Sequence, residues 1–131
     1  MFKLLKIENG RMNVPEPVFH EVTAGETVEI GEALALASGK LTKATGKPEF
    51  ISMGVKAAAD TDRKIGVCRV EPNQVYEVPV SAAPTSLKVG DKVTLHTDGL
   101  QVTATTSNGV VTIENLNGAT AAGDKLIVRI V

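Results

Sequence analysis

Short stretches of alternating apolar and polar residues, separated by turn-forming pairs, run the length of this chain. Alternation is clear in Thr27-Val28-Glu29-Ile30, in Val75-Tyr76-Glu77-Val78-Pro79-Val80 and in Lys92-Val93-Thr94-Leu95-His96. Each predicts a strand with one buried and one wet face. Leu126-Ile127-Val128-Arg129-Ile130-Val131 is almost continuously apolar and predicts a strand that is central in its sheet or at an interface. Asn9-Gly10, Ala24-Gly25, Ser38-Gly39, Thr45-Gly46, Asp98-Gly99, Asn108-Gly109, Asn117-Gly118 and Gly123-Asp124 punctuate the pattern. The runs left between them are too short for ordinary helices and suit strands. Asn108-Gly109, flanked by residues 103–106 and 110–113, is the strongest hairpin signal, because Asn-Gly accepts the two positive φ angles of a type I′ turn. The alanine-rich residues 54–60 have helix propensity but too little length to form an isolated helix. They are read as a strand leading into a loop.

A chain of 131 residues can bury a single core without metals or disulfides. Hydrophobic residues make up 43% but aromatics only 3%, and tryptophan is absent, so Val, Ile, Leu and Ala must fill that core. Branched aliphatics suit pleated layers. The expected class is all-β: a small β-barrel or β-tulip-like domain, possible also as two similar β-subdomains. The second form is suggested by a weak internal repeat. Ile30-Gly31-Glu32-Ala33-Leu34-Ala35-Leu36 followed by Lys64-Ile65-Gly66-Val67 is similar to Val89-Gly90-Asp91-Lys92-Val93-Thr94-Leu95 followed by Lys125-Leu126-Ile127-Val128. Duplication and generic strand-turn-strand chemistry both produce such a pattern. Pro72, Pro79 and Pro84 mark the expected connector, since proline cannot donate to a ladder. The expected division is an N-terminal arm or edge strand over 1–21, a β-domain over 22–80 and a second β-unit over 81–131.

Charge narrows the function classes. Fourteen basic residues face fifteen acidic ones, for a formal net charge of −1, and they are interspersed, so no electrostatic footprint for direct nucleic-acid binding is present. Lysines break every apolar run of Met1-Phe2-Lys3-Leu4-Leu5-Lys6-Ile7-Glu8, which leaves no signal-peptide core there. No segment offers the roughly 18 uninterrupted apolar residues of a membrane helix. Synthesis in a cytoplasm, without a membrane partner, is the expectation. Cys68 is the single cysteine and cannot form an internal disulfide. Its place in the strand-like run 65–70 predicts a small buried apolar residue.

Candidate chemistry is sparse. His20 and His96 are far apart and lack the further ligands of a metal site, although Asp91 and Asp98 lie near His96 in sequence. There is no Gly-x-Ser-x-Gly elbow, and Cys68 has no neighbouring base. Gly25, Gly31 and Gly39 are spaced for hairpins and do not form a phosphate-cradling loop. Asp60-Thr61-Asp62-Arg63 lacks the glycine and later glutamate of a calcium loop. Neither an enzyme nor a cofactor is expected. Gly25-Glu26-Thr27-Val28-Glu29-Ile30-Gly31-Glu32-Ala33-Leu34 resembles the signature of biotinyl and lipoyl carrier domains, for which Lys43 is the nearest candidate lysine. The acid that should precede it is missing, and the returning half of such a domain does not follow promptly.

Three pieces carry a second resemblance: the stretch 24–34, then Phe50-Ile51-Ser52-Met53-Gly54-Val55, then Lys64-Ile65-Gly66-Val67-Cys68-Arg69-Val70 with Gln74-Val75-Tyr76-Glu77-Val78-Pro79. Residues 22–80 are similar to the capsid decoration, or cement, proteins of tailed bacteriophages. The resemblance implies a small tulip-like or barrel fold and a structural protein of the virion, made in the host cytoplasm. It would bind the outer capsid surface and stabilise the major capsid protein lattice, as a homo-oligomer with a trimer favoured. It carries over no catalytic residue. Residues from Leu87 onward depart from the smallest family members and look like an added β-unit. Phe2, Leu4, Leu5, Ile7, Val14, Val18 and Phe19 are the candidate partner-binding residues, on an arm that would add a strand to a neighbour's sheet edge. An ordinary edge strand of the same domain is the competing reading of that arm. The competing function is a non-catalytic β-sandwich recognition module of a tail or surface protein, for which Phe2, Phe19, Phe50 and Tyr76 would have to supply the stacking platform.

Overall fold

The protein is described from a computed structural model, over residues 1–9 and 15–131. Ten strands follow one another: β1 (Lys3–Ile7), β2 (Val18–Glu21), β3 (Ala33–Ala37), β4 (Lys40–Lys43), β5 (Phe50–Ser52), β6 (Lys64–Arg69), β7 (Gln74–Pro79), β8 (Lys92–Val93), β9 (Val111–Asn115) and β10 (Lys125–Ile130). They form two five-stranded sheets, ordered β1-β7-β10-β9-β8 and β2-β6-β5-β3-β4. All pairings between strands are antiparallel. No helix forms among the described residues, and residues 54–60 are a loop held at Lys56 by a bridge to Val28.

The fold is all-β in two sheet-based parts, and neither sheet closes into a barrel. The second sheet curls until its edge strands approach, where Thr23 donates its N–H to the Leu41 carbonyl at 2.8 Å and Lys40 pairs with Glu21 at 3.3 Å. Val22, Val28, Leu34, Leu41, Phe50, Ile65 and Val67 fill the inside of that curl. A larger core forms where the inner face of the first sheet meets the rest of the chain. Tyr76, Val78 and Val80, with Leu126, Val128 and Ile130, pack there with Ala33, Ala44 and Ile51 from the second sheet's side. Each fully buried aliphatic side chain contributes about 1.5–3 kcal/mol, so many small residues replace the missing aromatics. As the pattern of residues 126–131 predicts, β10 (Lys125–Ile130) is a central strand, between β7 and β9.

The sheets do not follow the divisions expected from the chain. Of the stretch 1–21, β1 joins the first sheet and β2 the second, while β7, inside the expected unit 22–80, pairs with β1 and β10. Strand β7 alternates as its sequence does, but its neighbours come from both ends of the chain.

Glycine followed by an acid recurs at four turns. Gly25, Gly31, Gly90 and Gly123 have φ of 80, 76, 92 and 89°, and each is the third residue of a turn closed by a backbone bond onto the first. These bonds run from Glu26 to Thr23 (3.2 Å), Glu32 to Glu29 (3.3 Å), Asp91 to Lys88 (3.1 Å) and Asp124 to Ala121 (3.3 Å). A positive φ at the third position is what a type II turn requires, and glycine meets it without steric cost. In three of them the acid folds back to accept the N–H of the first residue: Glu29 to Glu32 Oε2 at 2.8 Å, Lys88 to Asp91 Oδ2 at 2.8 Å and Ala121 to Asp124 Oδ2 at 2.9 Å. These three turns deliver the chain into β3, β8 and β10. The repeated sequence pattern is therefore a repeated turn. Beyond it the two halves diverge, since β3 lies inside its sheet and β8 at an edge.

Two expectations are corrected by tertiary pairing. Asn108 has φ 59°, but Gly109 lies outside the left-handed region, so the turn is not type I′. Its flanks do not pair with each other: Thr103 and Thr105 bond to Thr94, and Val110 bonds to Val93. The two-residue hairpin belongs to Ser38-Gly39, with φ 49 and 79°, between the paired residues Ala37 and Lys40. In Thr27-Val28-Glu29-Ile30, Val28 is buried as expected, but Ile30 occupies the second position of the Glu29 to Glu32 turn and is exposed. A turn takes precedence there over strand alternation.

Candidate binding surface

Phe2, Leu4, Leu5 and Ile7 all fall at β1, which spends one edge on β7. Phe2 is buried in the larger core, with its ring edge-on to Tyr76 at a centroid distance of 6.1 Å, and its N–H donates to the Gly31 carbonyl at 2.8 Å. Its side chain is committed to that core and does not belong to a free arm. Leu4 packs against the same core and Ile7 is half-buried. Leu5 is exposed, at an irregularity where the register shifts between Leu4 and Lys6. Val14 lies outside the described residues. Val18 packs against the smaller core, and Phe19 is 64% exposed.

Phe19 is positioned by register. It lies opposite Gly66 on β6, and its ring passes within 3.4 Å of where a Cβ on Gly66 would be. Met53 donates its N–H to the Gly66 carbonyl at 2.9 Å, which places Phe19, Gly66 and Met53 in one row across the strands. Met53 in turn borders a groove of about 400 Å³ where the two sheets meet, lined chiefly by Met1, Phe2, Leu4, Ile30, Ile51 and Met53, with Cys68 and Tyr76 also contributing. Four of the exposed large apolar residues, Met1, Phe19, Ile30 and Met53, thus gather on one side of the molecule. Lys3 borders the groove, but it lies opposite Glu77 while Leu4 lies opposite the buried Tyr76, so its side chain is on the other face of the sheet. Sequence reading missed Ile30 and Met53, although the Gly31 that follows Ile30 signals a turn position and not a strand face.

The groove's inner wall is chemically quiet. Tyr76 donates its hydroxyl to Gln74 Oε1 at 2.6 Å, and Gln74 Nε2 reaches the Arg69 carbonyl at 3.0 Å and Cys68 Sγ at 3.6 Å. Burial raises the Cys68 thiol, and it raises the Tyr76 phenol far above its ordinary range. Both stay protonated at neutral pH, so Cys68 is the buried, free side chain that its strand position predicts.

Other titratable groups serve turns and junctions. Burial works to raise Asp98, but the Leu100 N–H, the Gln101 side chain and His96 outweigh it and hold the carboxyl below its ordinary value. His96 Nδ1 lies 3.1 Å from Asp98 Oδ2, and His20 stacks at a tilt on Phe50 with centroids 5.2 Å apart. No group of three or more His, Cys, Asp and Glu is placed to hold a metal among the described residues. Glu32 is buried where β3 begins, with Lys43 Nζ 3.4 Å from its Oε1. Burial raises its carboxyl despite Lys43. Lys43 is therefore a strand residue with a buried partner, whereas the tip of its hairpin is Ser38-Gly39, and the carrier-domain position is not met.

These features define an all-β, two-sheet protein with an apolar strip that leads into a groove. No known protein family model matches the chain, and no curated protein matches it.

Proposed function

We propose that this chain is a capsid decoration protein of a tailed bacteriophage, binding the outer face of the head and stabilising the lattice of the major capsid protein. The resemblance over residues 22–80 supplies the family. The observation that carries the reading is the gathering of Met1, Phe19, Ile30 and Met53 on one side of the body. Contiguous exposed apolar surface is a mark of protein association. A lattice presents many copies of one contact, so modest individual affinities sum to a firm clamp. The two cores and the meeting edges of the second sheet suit a protein that must transmit load without reshaping.

The test is reconstitution. Expanded shells lacking this protein should bind the purified chain saturably and then withstand higher temperature before disruption, because a ligand that binds only the intact shell stabilises it by mass action. Shells that show neither effect overturn the reading. A tail or surface recognition module then takes its place.

A further inference from the structure

We propose that Asn117-Gly118 is a site of self-deamidation, at which the Gly118 amide nitrogen attacks the Asn117 side chain, and that the fold protects the identical pair Asn108-Gly109. The two turns place their asparagines one position apart, and that offset decides which nitrogen is free. The inference is independent of the decoration reading.

The Gly118 nitrogen forms a bond to Asn117 Cγ and gives up its proton to solvent, while the carboxamide nitrogen takes up a proton and leaves as ammonia. The product is a five-membered imide, which water, the one co-reactant, then opens. Cleavage of the new bond at Cγ leaves aspartate. Cleavage of the original peptide bond leaves isoaspartate, with the main chain running through the side chain. Ring closure needs the nitrogen free to turn toward Cγ and within bonding reach of it. Glycine allows this, because no Cβ obstructs the approach.

In the turn 116–119, Asn117 and Gly118 are the second and third residues, with φ 54 and 72°. The closing bond of a β-turn is donated by its fourth residue, here from the Ala119 N–H to the Leu116 carbonyl at 2.9 Å. The Gly118 N–H is left over and makes no hydrogen bond among the described residues. Nor does the Asn117 carboxamide, since only the backbone N–H of Asn117 is engaged, donating to Asn115 Oδ1 at 2.7 Å. Both residues are exposed, and a Cβ on Gly118 would meet nothing within 4 Å.

In the turn 106–109, Asn108 is the third residue. Gly109 is therefore the fourth, and its N–H is the closing donor, to the Thr106 carbonyl at 3.3 Å. The following amide, Val110, is anchored on the Val93 carbonyl at 2.9 Å. Gly109 also presses so close to β8 that a Cβ there would lie 2.2 Å from the Lys92 carbonyl oxygen. Turning this peptide unit into a ring requires breaking all three contacts. At Asn117 the aspartyl product adds a negative charge to the loop between β9 and β10. The isoaspartyl product also lengthens the main chain inside a turn whose ends, Leu116 and Ala119, pack on the larger core.

Peptide mapping by mass spectrometry tests this, after incubation of the purified protein in mildly alkaline buffer with and without enough urea to unfold it. In the folded protein the mass gain from exchanging NH for O should accumulate at Asn117 at least tenfold faster than at Asn108, as paired aspartyl and isoaspartyl peptides. In the unfolded chain the two rates should converge, since only the fold distinguishes the pairs. Asn117→Gln should abolish the gain in its own peptide and leave Asn108 as it was. Equal rates in the folded protein, a faster Asn108, or an Asn117 that stays intact when folded overturns the assignment. A tenfold difference that persists in urea shows that flanking sequence decides, and overturns the role of the turn.

Discussion

Arg129 and Glu8, 121 residues apart in the chain, meet at 2.8 Å between Nη2 and Oε2. The same guanidinium reaches Glu114 Oε1 at 3.1 Å and the Pro72 carbonyl at 2.8 Å. One planar fork on β10 thus ties the end of β1, the turn before β7 and the strand β9 across the outer face of the first sheet. Arginine alone has this spread of donors.

Replacing Arg129 by Ala should destabilise the protein by about 1 kcal/mol, the upper end for exposed ion pairs, through lost bonds and lost cover of its stem over the sheet. Arg129→Lys should recover only part of this. Lys6 and Arg129 hold the Glu8 carboxyl below its ordinary value of 4.5, so this contribution is present above that value and is lost as pH falls through the depressed one. Urea melts at pH 7 and pH 3 should show the gap between parent and Arg129→Ala narrowing in acid.

Glu32 behaves in the opposite sense. Its raised pKa means that the folded state holds its proton more tightly than the unfolded chain does. Its contribution is greatest below 4.5, the ordinary value, and is lost as pH rises through the raised one. Glu32→Gln keeps an acceptor for the Glu29 N–H, removes the buried charge and leaves behind a Lys43 that reaches solvent. It should stabilise the protein by about 1 kcal/mol at pH 7, with no difference near pH 3. Thermal melts at the two pH values check the sign.

Two glycines separate crowding from backbone conformation. A Cβ on Gly109 would lie 2.2 Å from the Lys92 carbonyl oxygen, so Gly109→Ala must push β8 away and should cost about 3 kcal/mol or more. Gly118 has open space but φ 72°, and Gly118→Ala should cost about 1–2 kcal/mol from the left-handed conformation alone. Chemical denaturation of the two variants should rank them in that order.

Cys68, buried and held protonated, should resist thiol-directed reagents in the folded protein, because the thiolate is the nucleophile. Labelling in increasing urea should follow global unfolding. Rapid modification under native conditions would show that the groove opens to its inner wall.

The sequence alone determined what depends on neighbours along the chain. Alternation at residues 75–80, the apolar run at 126–130, the strand around Cys68 and the turns at Gly25 and Gly123 were legible, because side-chain facing has a period of two and positive φ favours glycine. Strand identity followed from these, and with it the all-β class. Which strands become neighbours was decided only in three dimensions. Strand β7 pairs with β1 and β10 because that order buries Phe2, Tyr76 and Val128 together, a gain spread over residues that local pattern cannot relate. The same cause took Asn108-Gly109 out of its expected hairpin, since each flank found a better partner in residues 93 and 94. It also buried Phe2 from the terminal run, left the candidate Phe19 exposed and set Ile30 and Met53 on the same side. Local pattern says which face of a strand is apolar, but only the summed burial of distant segments decides which apolar groups are covered and which remain free to bind.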